Sequence, residues 1–487
     1  MRKRNLENYK TQRINIRDIK KKKKNMKRII IFTIFILTIT LIANSQENNY
    51  FKAGDRICFV GNSITKDGEF IHNILLYQIT RYPNQQINIF NCGIPGDVTQ
   101  DVLDRLETDI LIHKPTKVVI MIGMNDIKRW FYGSKITSNA DTLQLQQEAI
   151  NLYKKNLAKL LSEFQSRSIG IILQTPTIYD QTAKFATENK FGSNDALKVC
   201  ADFVCEQARK FKLPLVDYWT LMAQLNKKIQ KEDPMSTIIG MDRIHPGSDG
   251  HLVMAYQFLK ADKAPKFVSK ICIYNNNKKS ALKSCNCEIK NVSLNKNKVT
   301  FTVKENSLPF PTKPQQTKSL SLIPFVDEFN VELLKVPVIK PGNYKLTIDG
   351  VLVGEFTGKQ LQNGVNLTSY SNTPQYQQAI KVRDLLWKAH EEVSKLRGVK
   401  FIEYNPYFSS CKNKDNLSNV QVFMDSVFSY EPYKSNPYYK ARLKDYMIYK
   451  PLEKEIENAS IRYNEIAYSE AKPKEHTYII ELDNTKN

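Results

Sequence analysis

Between Phe51 and about Lys263 the chain alternates short apolar runs with stretches of helical periodicity. The runs are 56–60, 86–91 (QINIFN), 117–122 (KVVIMI), 169–174 (IGIILQ) and 215–217 (LVD). They are β-branched and nearly continuous in apolar character, as strands covered on both faces must be. Between them, QDVLDRLETDILIH carries Val102, Leu103, Leu106 and Ile110 at helical spacing, and YKKNLAKLLSEFQSR carries Leu157, Leu160, Leu161 and Phe164. Repeated β-α units with short connections predict a parallel sheet between helix layers, joined by right-handed crossovers.

In such sheets binding and catalysis gather at the carboxyl ends of the strands. Four short stretches fall at such places or in a late turn. The first run stops at Gly61-Asn62-Ser63, the second leads into NCGIPGD with Gly93, and the third into GMND with Asn125. Far downstream, DRIHPGSDG presents Asp242 and His245 just before a helix at 248–260. Each stretch has a plain alternative, because Gly, Asn, Asp and Ser are ordinary turn and cap residues. Together they have a chemical one. A serine hydroxyl needs a base to become a nucleophile, and neutral histidine is the usual base near pH 7. A carboxylate on the other ring nitrogen fixes the tautomer. Attack on an ester creates an oxyanion, which backbone N–H groups and an asparagine amide can hold.

Residues 52–262 resemble the SGNH hydrolase superfamily, the GDSL-type esterases. Ser63, Gly93, Asn125 and His245 stand in the order of the family's four letters, with GNSIT where many members have Gly-Asp-Ser. The resemblance implies a flavodoxin-like three-layer α/β/α fold and serine esterase chemistry. It implies Ser63 as nucleophile, His245 as base and Asp242 as its orienter. The backbone N–H of Ser63, with Gly93 and Asn125, would form the oxyanion hole. The implied activity is ester hydrolysis, with no cofactor or metal. The favoured substrate is a short acyl group, above all O-acetyl, on a carbohydrate. The alternatives are a lipid-directed phospholipase or thioesterase and a catalytically degenerate glycan-binding module.

After about residue 265 the rhythm changes. NNNKKSALKSCNCEIKN reads as polar linker, so 46–264 is taken as the catalytic domain and 265–286 as the connection. Alternating runs and the Asp349-Gly350 hairpin signal place an antiparallel β-domain at 287–372. Thr373-Pro374 marks a helix start, and Ala379, Val382, Leu385, Leu386, Ala389, Val393 and Leu396 form one stripe, so 373–487 reads as helical. Since 52–262 holds every residue assigned to bond breaking, the chemistry is expected to survive without residues 270–487.

The net charge of +23 suggests a nucleic-acid binder until its distribution is examined. Residues 1–28 alone carry a net of +11, and the remaining lysines are scattered, so no nucleic-acid partner is expected. The basic head precedes the apolar run 29–43 and Ala43-Asn44-Ser45. Fifteen helical residues reach about 22 Å, short of a ~30 Å hydrocarbon core, so residues 1–45 read as a basic head plus signal peptide cleaved before Gln46. Translation from Met26 would give a more ordinary signal. The expected location is periplasmic, cell-surface or extracellular, with only transient membrane contact; an uncleaved anchor at 29–43 is the rival. Cys58 and Cys92 read as core thiols, whereas Cys272, Cys285 and Cys287 leave room for one disulfide. Oligomeric state leaves no mark in the sequence.

Overall fold

The five apolar runs form strands β1 (Arg56–Gly61), β2 (Asn88–Gly93), β3 (Lys117–Met121), β4 (Gly170–Gln174) and β5 (Leu215–Val216). The computed structural model describes residues 50–133, 140–274, 284–414, 416–431 and 433–483, so the expected signal segment lies outside the described residues. All five strands pair in parallel in the order β2-β1-β3-β4-β5, and helices flank the sheet to make the three-layer α/β/α domain. Ile57, Cys58, Phe59 and Val60 of β1 are fully buried, as a central strand requires. Register does the placing. Gly61 pairs with Gly93 on one side and Met121 on the other, so the loops after β2, β1 and β3 leave the sheet side by side.

One helical expectation changes form. The segment 100–113 is a helix only over Thr99–Asp104, followed by a π-turn at Leu106–Ile110 and a 3₁₀ turn at Leu111–His113. Arg105 and Asp109, which a regular amphipathic helix would expose, are buried together here.

The second half departs further from the expected boundaries. The presumed linker 265–286 contains β6 (Phe267–Cys272). Strand β6 pairs in parallel with β9 (Val331–Lys335), which carries the two-residue β12 (Val365–Asn366) on its other edge. A separate antiparallel sheet contains β7 (Cys287–Leu294), β8 (Lys298–Glu305), β10 (Asn343–Ile348) and β11 (Val351–Thr357), with Asp349-Gly350 joining the last two. Its central strand is β13 (Glu475–Leu482), inserted between β10 and β8. The region 373–487 is therefore not wholly helical. Strand β13 alternates buried His476, Tyr478 and Ile480 with more exposed residues, and Tyr478 stacks on Phe301 at 5.0 Å. All eight cysteines are free, and no disulfide joins Cys272, Cys285 or Cys287.

The long helix Pro374–Glu403 begins as expected. Thr373 Oγ1 accepts from Tyr376 N at 3.3 Å, and Pro374 occupies the first turn. Ala379, Val382, Leu386 and Ala389 are buried, whereas Leu385, Val393 and Leu396 are only half-buried. Its last turns enter a second core built by helices Leu417–Val427 and Pro437–Tyr449. That core includes Val399, Ile402, Phe408, Met424, Leu443 and Tyr446, together with Ile94 from the loop after β2. The described residues from Phe51 onward form one unit. The second half is hydrogen-bonded to the first: Tyr468 Oη accepts from Ile87 N at 3.0 Å, and Leu308 N donates to Thr80 O at 2.8 Å.

Candidate active site

The serine after β1 is not the cap of the helix that follows. Asn62 has that role: its Oδ1 accepts from Ile64 N at 3.2 Å and its carbonyl from Lys66 N at 2.9 Å. Ser63, first residue of the short helix Ser63–Asp67, keeps its hydroxyl free of capping. Ser63 Oγ lies 2.7 Å from His245 Nε2, and His245 Nδ1 lies 2.5 Å from Asp242 Oδ2. Ser63 and a pair of residues more than 170 positions downstream thus form one hydrogen-bonded line.

The turn carrying Asp242 and His245 is held from several sides. Asp242 Oδ1 accepts from the N–H groups of Ile244 and His245, both at 3.0 Å, an Asx-type turn closed on the residue that orients the ring. Burial pushes the Asp242 carboxyl up, but the hydrogen bonds from the His245 ring and the two N–H groups outweigh it and hold it at about 2. Arg243 adopts a left-handed backbone, φ 67°, and its buried guanidinium donates to the carbonyls of Asp180, Ala183, Phe185 and Thr187. Ser248, opening the helix Ser248–Ala261, donates to Glu69 Oε1 at 2.7 Å and ties this turn back to the Ser63 side. Since Asp242 stays ionised to about pH 2, the acid limb of kcat/KM is expected to follow one proton. A pH-rate profile with slope two would contradict this.

Asn125 follows β3 as expected. Its Oδ1 accepts from Arg129 Nη1 at 3.0 Å and its Nδ2 donates to Asp97 O at 3.0 Å. The guanidinium, which also bonds Met124 O, selects the amide orientation, and among the described residues only one of the two Nδ2 hydrogens has an acceptor. Asp126 anchors the same loop, accepting from both N–H and hydroxyl of Thr99 at 2.8 and 2.7 Å.

Gly93 does not occupy the predicted place. It is buried, and its N–H donates to Asn91 Oδ1 at 2.9 Å, so it is not available to an oxyanion. A Cβ there would stand 2.2 Å from Lys66 N and 2.8 Å from Asn62 O. Gly93 instead permits β2 to touch the backbone around Ser63. The accessible donor in this loop is Gly96. It is exposed, has φ 88°, and its N–H has no protein acceptor among the described residues. Ile94 O accepts from Asp97 N at 3.3 Å, closing a four-residue turn with Pro95 second and Gly96 third, the pattern of a type II turn. Pro95-Gly96 was the sequence signal for it. Gly93→Ala is expected to lower Tm and kcat together, since overpacking against backbone costs about 1–3 kcal/mol. Gly96→Ala meets no neighbour and should cost about 1–2 kcal/mol through its left-handed backbone alone. Thermal melts and kcat for both variants check this; a Gly93→Ala chain with wild-type Tm contradicts the packing described.

Residues 49–258 match the GDSL-like lipase/acylhydrolase family. An acetylxylan esterase of Geobacillus stearothermophilus is 25% identical over 226 residues, spanning 43% of this chain and 94% of the esterase. The uncharacterized lipoprotein YqeF of Bacillus subtilis (strain 168) is 28% identical over 145 residues, 27% of this chain and 55% of the lipoprotein. Among solved structures, BT4096, a gut microbial diltiazem-metabolizing enzyme, aligns with TM-score 0.81 and 30% identity, over 90% of this chain and all of its own.

Proposed function

Because the chain belongs to the GDSL-like lipase/acylhydrolase family through residues 49–258 and is an ester-bond hydrolase, we propose that it removes short acyl groups, O-acetyl above all, from a carbohydrate by way of a Ser63 acyl-enzyme. The observation that carries the mechanism is the Ser63–His245–Asp242 line, with spacings of 2.7 and 2.5 Å. Ser63 Oγ attacks the ester carbonyl while His245 Nε2 takes its proton. The same imidazolium protonates the departing alkoxide. Water then attacks the acyl-serine with His245 again as base, releasing the carboxylic acid and restoring Ser63. Asp242 holds the ring and balances its transient charge.

The oxyanion donors in this mechanism are the N–H of Ser63, the N–H of Gly96 and Asn125 Nδ2. They stand on loops leaving three adjacent strands, and Gly93 is not among them. Asn125→Ala is expected to lower kcat by roughly 10²–10³-fold with KM little changed. A wild-type kcat for that variant would remove Asn125 from the site.

The carbohydrate assignment draws on the named activity of the Geobacillus relative, and the exported location on the basic head, the apolar run 29–43 and the lipoprotein relative. A hydrolysis panel tests the substrate class: p-nitrophenyl acetate, a long-chain p-nitrophenyl ester, acetylated xylan, acetylated peptidoglycan fragments and diltiazem. The proposal expects acetyl over long-chain esters and release of acetate from a glycan. Preference for the long-chain ester would move the enzyme to lipid substrates.

A further inference from the structure

Arg397 lies on the long helix far outside the family match, yet it ends beside the catalytic loops. It is 5% exposed. Its Nε donates to the carbonyl of Gly93 at 3.1 Å, and its two terminal nitrogens grip Asp109 in a fork at 2.8 and 2.7 Å. Asp109 also takes Arg105 Nη1 at 2.5 Å. Arg105 in turn donates to Asp97 Oδ2 and to the Cys92 carbonyl, both at 2.8 Å, and reaches the Gly61 carbonyl at 3.4 Å. Two arginines and two aspartates form a buried chain, Arg397–Asp109–Arg105–Asp97, directly behind the loop 93–97. Asn125 Nδ2 joins it through the Asp97 carbonyl.

A second, apolar contact reaches the same loop. Ile94, 3% exposed, is inserted into the helical core of Val399, Ile402, Met424, Leu443 and Tyr446. The turn Ile94–Asp97 therefore has both ends fixed. Ile94 is gripped by the tail and Asp97 by the ion cluster, with Gly96 standing between them.

From this geometry we infer that the carboxyl-terminal helical region is a working part of the hydrolase: through Arg397 and the Ile94 socket it sets the position of the oxyanion loop, and Arg397 is a positioning residue for the Gly96 and Asn125 donors. The inference rests on the ester-hydrolase reading of Ser63. It replaces the expectation that residues 270–487 are dispensable for chemistry. A guanidinium is suited to the task because it satisfies a carboxylate fork and a carbonyl at once, whereas an ammonium is a point charge that cannot match both geometries.

Arg397→Lys in the full-length mature protein keeps the charge against Asp109 but loses the fork and the Gly93 contact. With p-nitrophenyl acetate as substrate, kcat is expected to fall about tenfold to a hundredfold. KM should stay within about twofold, because the loss falls on the transition state. Arg397→Gly supplemented with millimolar methylguanidinium should recover part of kcat at unchanged KM, while the additive leaves wild type unchanged. A folded Arg397→Lys chain with wild-type kcat, or with the change confined to KM, overturns the inference. If neither Arg397 variant folds by circular dichroism, Ile94→Ala decides: reduced kcat at unchanged KM supports it, and wild-type kcat overturns it. A wild-type chain without Ser63-dependent turnover would overturn the esterase reading itself, a result distinct from the others.

Discussion

Ser63→Ala is expected to abolish ester turnover, a loss on the order of 10⁶-fold in kcat as for other triad nucleophiles. Tm should hardly move, because the hydroxyl bonds only His245 among the described residues and the helix is capped by Asn62. The same variant should bind substrate with little change, since removing one hydroxyl leaves the ground-state contacts of the site in place. Steady-state kinetics on p-nitrophenyl acetate and a thermal melt suffice. Retention of more than a few per cent of activity would mean that hydrolysis proceeds elsewhere.

The second large effect separates the two partners of the line. His245→Ala should cost about as much as loss of the serine, since among the described residues His245 is the base hydrogen-bonded to Ser63 Oγ. Asp242→Asn should cost less, about 10⁴-fold, because asparagine can keep a hydrogen bond while favouring the wrong tautomer. The Asx-turn bonds from Ile244 and His245 can still be accepted by the amide oxygen, so the fold around the turn should persist. Equal losses at saturating substrate would show that the two residues do not hold these separate roles.

What the sequence made legible follows the reach of each physical signal. Strands β1, β3 and β4 were readable because burial on both faces demands unbroken apolar runs, and their ends then located Ser63 and Asn125. Asp242 and His245 were readable because three residues of spacing allow one turn to present both. Gly93 was misplaced for a local reason. The loop holds two glycines three residues apart, and only the demand for φ above zero after Pro95 distinguishes the accessible one, Gly96.

The second half was harder because its signals are non-local. Strand β13 lies at the end of a helical run, and its partners β8 and β10 are more than a hundred residues upstream. Its short alternation means little until those partners are known. The polar surroundings of β6 concealed a strand whose partner, β9, lies some sixty residues on. Arg397 escaped notice because a stripe search on a helix looks for apolar residues, and a buried arginine appears as one more charge on the polar face. Its partner Asp109, and Arg105 which shares that carboxylate, were hidden likewise by the break of the helix into a π-turn, which leaves both buried.

The central claim is that Ser63 is the residue that becomes acylated, in a site whose oxyanion loop the whole chain holds in place. The most direct test is labelling of the full-length protein with a fluorophosphonate, followed by intact mass and peptide mapping. The account predicts one adduct per chain, located on Ser63 and absent from Ser63→Ala. It also predicts slower labelling in Arg397→Lys, because phosphonylation uses the same oxyanion donors. An unlabelled wild-type chain, or an adduct that persists in Ser63→Ala, would contradict it.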